Sequence, residues 1–162
     1  MHLVEEQHQP AANTVVYRRG STGRDTLTDH VVLSTSRTAR FPRVAARNGT
    51  VWVVWQDEGE DQTPRRPQIH LRSSVDNGES WGDVVVVSQG VGRAMHPDID
   101  VTPTGLPVVV WQDNATGTLP APLNLAAFDI MARVVGQDAE PINLSGAGKS
   151  VNPAIPLVDT RS

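Results

Sequence analysis

The sequence contains no cysteine, one tyrosine and two phenylalanines among its 162 residues. Without cysteine the chain can form neither a disulfide framework nor a thiolate metal site. A chain of 17.5 kDa can nevertheless bury a core without such cross-links. We therefore expect residues 1–162 to form one domain that is stabilised by burial of apolar surface, with no cofactor.

The chain also lacks an excess of positive charge and a long apolar run. Fourteen basic residues are outnumbered by 18 acidic ones, and the net charge is −4. Neither nucleic acid nor a membrane surface is therefore expected as a partner. No run approaches the roughly 20 apolar residues that cross a bilayer. The N-terminal MHLVEEQHQP has acidic residues where a signal peptide is basic and then apolar, so we expect no export signal and leave the compartment open.

Short runs rich in valine, isoleucine and tryptophan are abundant, and turn-forming residues separate them. Such runs are typical of β-strands, and helical spacing is nearly absent. The clearest runs are TVWVVW (50–55), QIHLRS (68–73), DVVVVS (83–88), LPVVVW (106–111) and FDIMARVV (128–135). The sequence therefore predicts an all-β fold.

These strands belong to an internal repeat. Pro97 lies 55 residues after Pro42, and Trp111 lies 56 residues after Trp55. A third copy begins at VNPAIPLVD (151–159), in which Pro153 lies 56 residues after Pro97. Four short strands in a unit of this length are typical of a propeller blade, because such a sheet buries its faces only against neighbouring sheets. In the middle unit we predict strand A at 43–46, B at 50–55, C at 68–73 and D at 83–88.

The stretch SSVDNGESWG (73–82) forms the predicted turn from strand C to strand D. An aspartate can accept backbone N–H groups there, a glycine can supply a positive φ, and a tryptophan can cover the turn. The pattern resembles the Asp-box of the sialidase-like (BNR-repeat) β-propellers, whose usual form is S-x-D-x-G-x-T-W. That box is structural in the family, so the resemblance implies a role in stability for its fixed positions, Ser74, Asp76, Gly78, Ser80 and Trp81.

The resemblance covers at least residues 37–113 and implies a division into blades. Blade 1 would combine strands B to D of residues 1–36 with a strand A at 150–159, blade 2 would span 37–92, and blade 3 would span 93–149. Sialidase-like propellers have six blades, and an open arc would expose edges and faces. We therefore expect two chains to close a six-bladed ring as a homodimer, each lending its terminal A strand to the other. The alternatives are a piece of a longer protein, or an A strand that folds back on its own chain.

The resemblance also implies two candidate catalytic residues. Active sialidases carry an arginine in an F/Y-R-I-P motif before strand A, and ARFPRVA places Arg40 two residues before Pro42, with the aromatic after the arginine. A catalytic aspartate lies in their loop after strand B, which reads WQDEGEDQTPRR here. In this loop Asp61 is favoured over Asp57, because Asp57 recurs as Asp113 and fits a structural group at the strand end.

Other requirements of a sialidase are harder to find in the sequence. These enzymes need two further arginines, and a tyrosine nucleophile that a glutamate activates. The single tyrosine, Tyr17, lies in the strand-like TVVYRRG (14–20), where no such motif is recognisable. The acidic loop 57–61 could hold calcium, although a solvated loop is favoured, and the five histidines show no metal-ligand spacing.

Two functions therefore remain open. The favoured one is a non-catalytic propeller module that binds glycan or protein, or that scaffolds an assembly, through loops at the strand ends. Trp52 or Trp81 could stack on a sugar, but both are expected to pack between blades. The alternative is a sialidase-type exo-glycoside hydrolase, or a fragment of one.

Overall fold

The computed structural model describes residues 1–20, 26–28, 30–58, 66–89, 92–114 and 128–145, and within these ranges it contains strands and turns but no helix. Accordingly, no helix in this part of the chain is long and apolar enough to cross a membrane.

The strands form three antiparallel sheets. Sheet 1 contains β1 (His2–Gln9), β2 (Ala12–Arg19) and β3 (Val31–Val32). Sheet 2 contains β4 (Ala39–Arg47), β5 (Thr50–Asp57), β6 (Gln68–Ser74) and β7 (Val85–Val86). Sheet 3 contains β8 (Ala94–Val101), β9 (Pro107–Asp113), β10 (Asp129–Val134) and β11 (Ile142–Asn143).

Each sheet is a meander in which every strand pairs with the next one along the chain. The predicted all-β fold is therefore confirmed. Sheet 1 has the three strands expected for a B–C–D unit, and sheets 2 and 3 have four each. The predicted fourth strand of the first unit, at 150–159, lies outside the described residues.

The core lies between the sheets. Strand β5 is buried over almost its whole length, because both faces of sheet 2 are covered. Its Val53 and Trp55 pack with Val15 and Tyr17 of sheet 1, whereas Trp52 on its other face packs toward sheet 3. Each sheet thus buries its apolar face only against its neighbour, which is the arrangement that the repeat predicts.

Two predicted strands differ in length from the observed ones. The first strand of sheet 2 runs from Ala39 to Arg47 rather than over 43–46, because the ladder continues across an irregularity at Pro42. The last strand, predicted at 83–88, is reduced to the ladder pair Val85–Val86. Beyond that pair, the N–H of Val87 still donates to the Ile69 carbonyl at 2.7 Å.

A serine follows the last strand of each of the three sheets, and its hydroxyl makes the same hydrogen bond to the neighbouring strand in all three. Sequence analysis did not predict this hydrogen bond. Each hydroxyl accepts the backbone N–H of the neighbouring strand at 3.1 to 3.2 Å. The three acceptor and donor pairs are Ser34 with Val15, Ser88 with Ile69, and Ser145 with Ile130. The signal was present as VVLS (31–34), VVVS (85–88) and INLS (142–145), since in each a serine follows a leucine or valine at the end of the short strand.

Candidate functional site

The first strands of sheets 2 and 3 each contain a β-bulge at a proline. In β4 the pairing shifts between Arg40 and Arg43, so Phe41 and Pro42 together oppose a single residue of β5. In β8 the same shift occurs between Met95 and Asp98. Bulges redirect side chains and are frequent near binding sites. The two bulges lie at the same end of their sheets, because they occupy equivalent positions of the repeat.

The residue before each proline has a backbone conformation that is unusual for its type. Phe41 has φ of 52° and His96 has φ of 53°. A left-handed conformation is uncommon for residues other than glycine and costs on the order of 1–3 kcal/mol. A side chain of the preceding sheet stabilises each left-handed conformation. Phe41 donates its N–H to Glu6 Oε2 at 3.3 Å, and His96 donates its N–H to Gln56 Oε1 at 3.1 Å.

These bulges bring two rings together at the surface. The centroids of Phe41 and His96 lie 4.9 Å apart, at an interplanar angle of 58°. Phe41 is 37% exposed although it is a large apolar side chain, and His96 is exposed as well. His96 Nδ1 also lies 3.4 Å from Gln112 Oε1. We call the cluster Glu6, Arg40, Phe41, His96 and Gln112 the bulge surface.

Arg40 is exposed at the margin of this surface. It lines a shallow pocket of about 250 Å³ together with Asn13, Arg37, Thr38 and Glu58. The pocket combines two guanidinium groups with a carboxylate and an amide, so it offers donors and acceptors to a polar ligand. Glu58 also opens the acidic loop, while Asp61 lies outside the described residues, as does most of the proposed calcium loop.

Asp57 lies close to this pocket but is buried, with 4% of its surface exposed. Its carboxylate accepts the hydroxyl of Ser36, and it accepts the Thr38 hydroxyl at 3.2 Å. These contacts fasten the connection between β3 and β4 to the end of β5. His70 Nδ1 lies 3.8 Å from Asp57 Oδ2. Burial lowers the pKa of His70, and the nearby Asp57 charge opposes this effect in part.

The turn SSVDNGESWG lies at the opposite end of sheet 2 from the bulges. Asp76 Oδ1 accepts the backbone N–H groups of Glu79 at 3.0 Å and of Ser80 at 2.9 Å. The hydroxyls of Ser74 and Ser80 also donate to this carboxylate. Hydrogen bonds from Ser74 and then from Ser80 hold the pKa of Asp76 well below its usual range. The assignment of this turn to the sialidase-type box remains a prediction.

The same turn contacts sheet 1 through Tyr17. The Trp81 and Tyr17 rings meet edge to face, with centroids 4.8 Å apart. Tyr17 is 1% exposed, and its hydroxyl lies 2.7 Å from His2 Nδ1. Tyr17 therefore packs at the junction of sheets 1 and 2, at the end opposite Arg40.

The structure thus separates the residues that the sequence singled out. Arg40 lies at the bulge end, whereas the five residues of the turn lie at the other end. Trp52 is 8% exposed and packs between sheets 2 and 3. Within the described ranges, no group of three or more histidine, aspartate or glutamate side chains could hold a metal ion.

The sequence analysis did not single out three residues that lie at the bulges, Glu6, Gln56 and Gln112. All three occupy the same position of the repeat, in HLVEEQ, VWVVWQD and PVVVWQD.

No protein-family model matches the sequence, and no curated protein matches it either. A solved structure does resemble this one: the α-L-arabinanase of Penicillium chrysogenum in complex with arabinobiose, a five-bladed β-propeller. The likeness has a TM-score of 0.64 at 13% sequence identity, and it covers 88% of this chain. The chain spans 44% of the length of the arabinanase. The three antiparallel sheets are therefore blades of a β-propeller fold.

Proposed function

We propose that this chain is a non-catalytic propeller module that binds glycan through the bulge surface. The observation that carries the proposal is the pair of exposed rings, Phe41 and His96, which two strained bulges hold side by side. The electron-rich face of an aromatic ring packs against the apolar C–H face of a sugar. A strained backbone in two successive repeats is typical of a site that serves binding.

Polar groups around the rings fit the same ligand class. The Glu6 carboxylate and the Gln112 amide can accept sugar hydroxyls, and the Arg40 guanidinium can donate to them. These side chains come from β1, β4 and β9, so a ligand at the bulge surface would contact all three sheets. The arabinanase that shares the fold was solved with a disaccharide, which favours a carbohydrate as the first ligand class to test.

A glycan array of the intact protein, followed by calorimetry on the best ligand, tests the proposal. Phe41→Ala and His96→Ala should each weaken binding by roughly tenfold or more, equal to about 1.4 kcal/mol. Arg47→Ala changes an exposed residue at the far end of β4 and is the matched control. Unchanged affinity in both ring variants, or no glycan bound at all, would contradict a glycan site at the bulges.

Hydrolysis of a glycoside is the second candidate, because Arg40 and Glu58 line one pocket at the end where the acidic loop begins. Most retaining or inverting glycosidases need two carboxyl groups on either side of the bond that is cleaved, whereas a sialidase needs a tyrosine nucleophile that a glutamate activates. Fluorogenic sialosides and arabinofuranosides should both be assayed with the parent protein and with Arg40→Ala. Turnover that depends on Arg40 would overturn the non-catalytic proposal, whereas glycan binding without turnover would support it.

A further inference from the structure

An arginine joins each sheet to the sheet before it. Arg72 of β6 donates through Nη1 to the Leu33 carbonyl at 3.1 Å, from sheet 2 to sheet 1. Arg133 of β10 donates in the same way to the Val87 carbonyl at 3.1 Å, from sheet 3 to sheet 2. Both acceptors immediately follow the last strand of their sheet, so the two internal junctions use one repeated contact.

Arg18 occupies the same position in sheet 1. The register pairs Val53 with Arg72 and Val109 with Arg133, and it pairs Leu3 with Arg18. No described sheet precedes sheet 1. Arg18 instead donates within its own sheet region. Its Nε donates to Glu5 Oε1 at 3.3 Å, and its Nη1 donates to the Thr28 carbonyl at 3.4 Å. Because a guanidinium has five N–H donors, Arg18 can keep both contacts and still donate to a further carbonyl.

Leu144 occupies the acceptor position of sheet 3. It follows the ladder residue Asn143, just as Leu33 follows Val32 and Val87 follows Val86. Leu33 and Val87 are fully buried at the internal junctions, whereas Leu144 is 60% exposed. The outer face of sheet 3 therefore presents an apolar acceptor position that is covered in the other two sheets.

Two further apolar positions at the outer faces are more exposed than their equivalents at the internal junctions, although Val16 on the outer face of β2 is fully buried. Val15 and Ile69 are fully buried, but Ile130, which bonds its serine in the same way, is 40% exposed. Likewise Val53 and Val109 are fully buried, whereas Leu3 at the equivalent position of β1 is 38% exposed. One outer face therefore carries the donor half of a sheet junction, and the other outer face carries the acceptor half.

We propose that the outer face of sheet 3 docks against the outer face of sheet 1 in a second copy of this chain. Arg18 then donates to the Leu144 carbonyl of the second copy, and Leu3 covers Ile130 of that copy. A second copy is the fitting occupant because one chain carries both halves of the junction. Two copies supply six sheets, within the range of about four to eight blades that close a propeller. The ring then contains two identical head-to-tail junctions related by a two-fold axis.

Multi-angle light scattering of the intact protein and of single-face variants tests this interface. The parent should have a mass near twice 17.5 kDa. Leu144→Asp and Leu3→Asp should each reduce the mass to that of one chain, because each change breaks both junctions of a symmetric ring. Val75→Asp is the matched control, since Val75 is 81% exposed in the β6–β7 turn and lies on neither outer face. The milder Leu144→Ser and Leu3→Ser replace any aspartate variant whose circular dichroism shows a loss of fold.

Mixing the two variants separates this geometry from other dimers. A mixed pair of Leu144→Asp and Leu3→Asp chains retains one intact junction, so a heterodimer should reappear at concentrations where neither variant associates alone. A face that paired with its own copy would leave one of the two variants fully dimeric, and that result would overturn the proposal. A monomeric parent, or association that both variants retain, would overturn it as well.

Discussion

A side chain on Gly78 would collide with Tyr17, because a Cβ atom built on Gly78 overlaps the phenol oxygen of Tyr17. Gly78 belongs to the β6–β7 turn of sheet 2, whereas Tyr17 belongs to β2 of sheet 1. The glycine therefore serves two purposes. It supplies the φ of +86° that the turn requires, and it leaves room for the neighbouring sheet.

Gly78→Ala should destabilise the protein more than Gly49→Ala does. Both glycines have positive φ, at +86° and +80°, so both substitutions incur a backbone penalty of about 1–2 kcal/mol. Only Gly78→Ala adds the clash with Tyr17, which we expect to cost about 1–3 kcal/mol more, as overpacking does. Urea unfolding measures the difference. Equal midpoints for the two variants would show that Tyr17 does not press on the turn.

The Tyr17–Trp81 contact should give a measurable coupling energy. The rings meet edge to face at 4.8 Å, and such pairs contribute roughly 1 kcal/mol beyond their buried area. A double-mutant cycle with Tyr17→Leu and Trp81→Leu should therefore be non-additive by about that amount. The control cycle combines Trp81→Leu with Val109→Ala, because Val109 packs between sheets 2 and 3 whereas Trp81 packs between sheets 1 and 2. The effects of these two substitutions should add to within about 0.5 kcal/mol. Additivity in both cycles would count against the contact.

Loss of Asp76 should change the response of the protein to acid. The pKa of Asp76 is depressed in the folded state, so this carboxylate stabilises the fold above its ordinary pKa of 3.8 and loses that effect as the pH falls. Asp76→Asn should lower the melting temperature at neutral pH and flatten its fall between about pH 5 and pH 2. Asp83→Asn removes an exposed carboxylate outside these hydrogen bonds and is the control. A slope in Asp76→Asn equal to that of the parent would contradict the prediction.

His70 should contribute to instability in mild acid. Burial lowers its folded pKa below 6.5, so the unfolded chain binds more protons and stability falls as the pH drops through this value. His70→Gln should therefore lose less stability than the parent between about pH 7.5 and pH 5. The control is His8→Gln, since the His8 side chain is 70% exposed. Parallel pH profiles for the parent and His70→Gln would show that His70 titrates alike in both states.

The sequence was sufficient to predict where the strands lie and where the β6–β7 turn lies, because both depend on local chemistry. Apolar runs bounded by turn residues located the strands, and the spacing of Trp55 and Trp111 grouped them into repeats. The Asp76 hydrogen bonds join residues within four positions of each other, so their types in order were enough to predict the turn. Strand ends were less well predicted, since the β4 ladder crosses the bulge at Pro42.

Contacts between sheets were decided by tertiary structure alone. Phe41 and His96 are 55 positions apart, and each backbone conformation depends on an acceptor from another sheet, Glu6 or Gln56. No local pattern predicts a left-handed residue before a proline, because the local preference is extended. Arg72 and Arg133 likewise became recognisable as junction residues only once the sheets were stacked. The sequence determined the strands of each repeat unit, while the packing of one unit on the next determined which side chains meet at the surface.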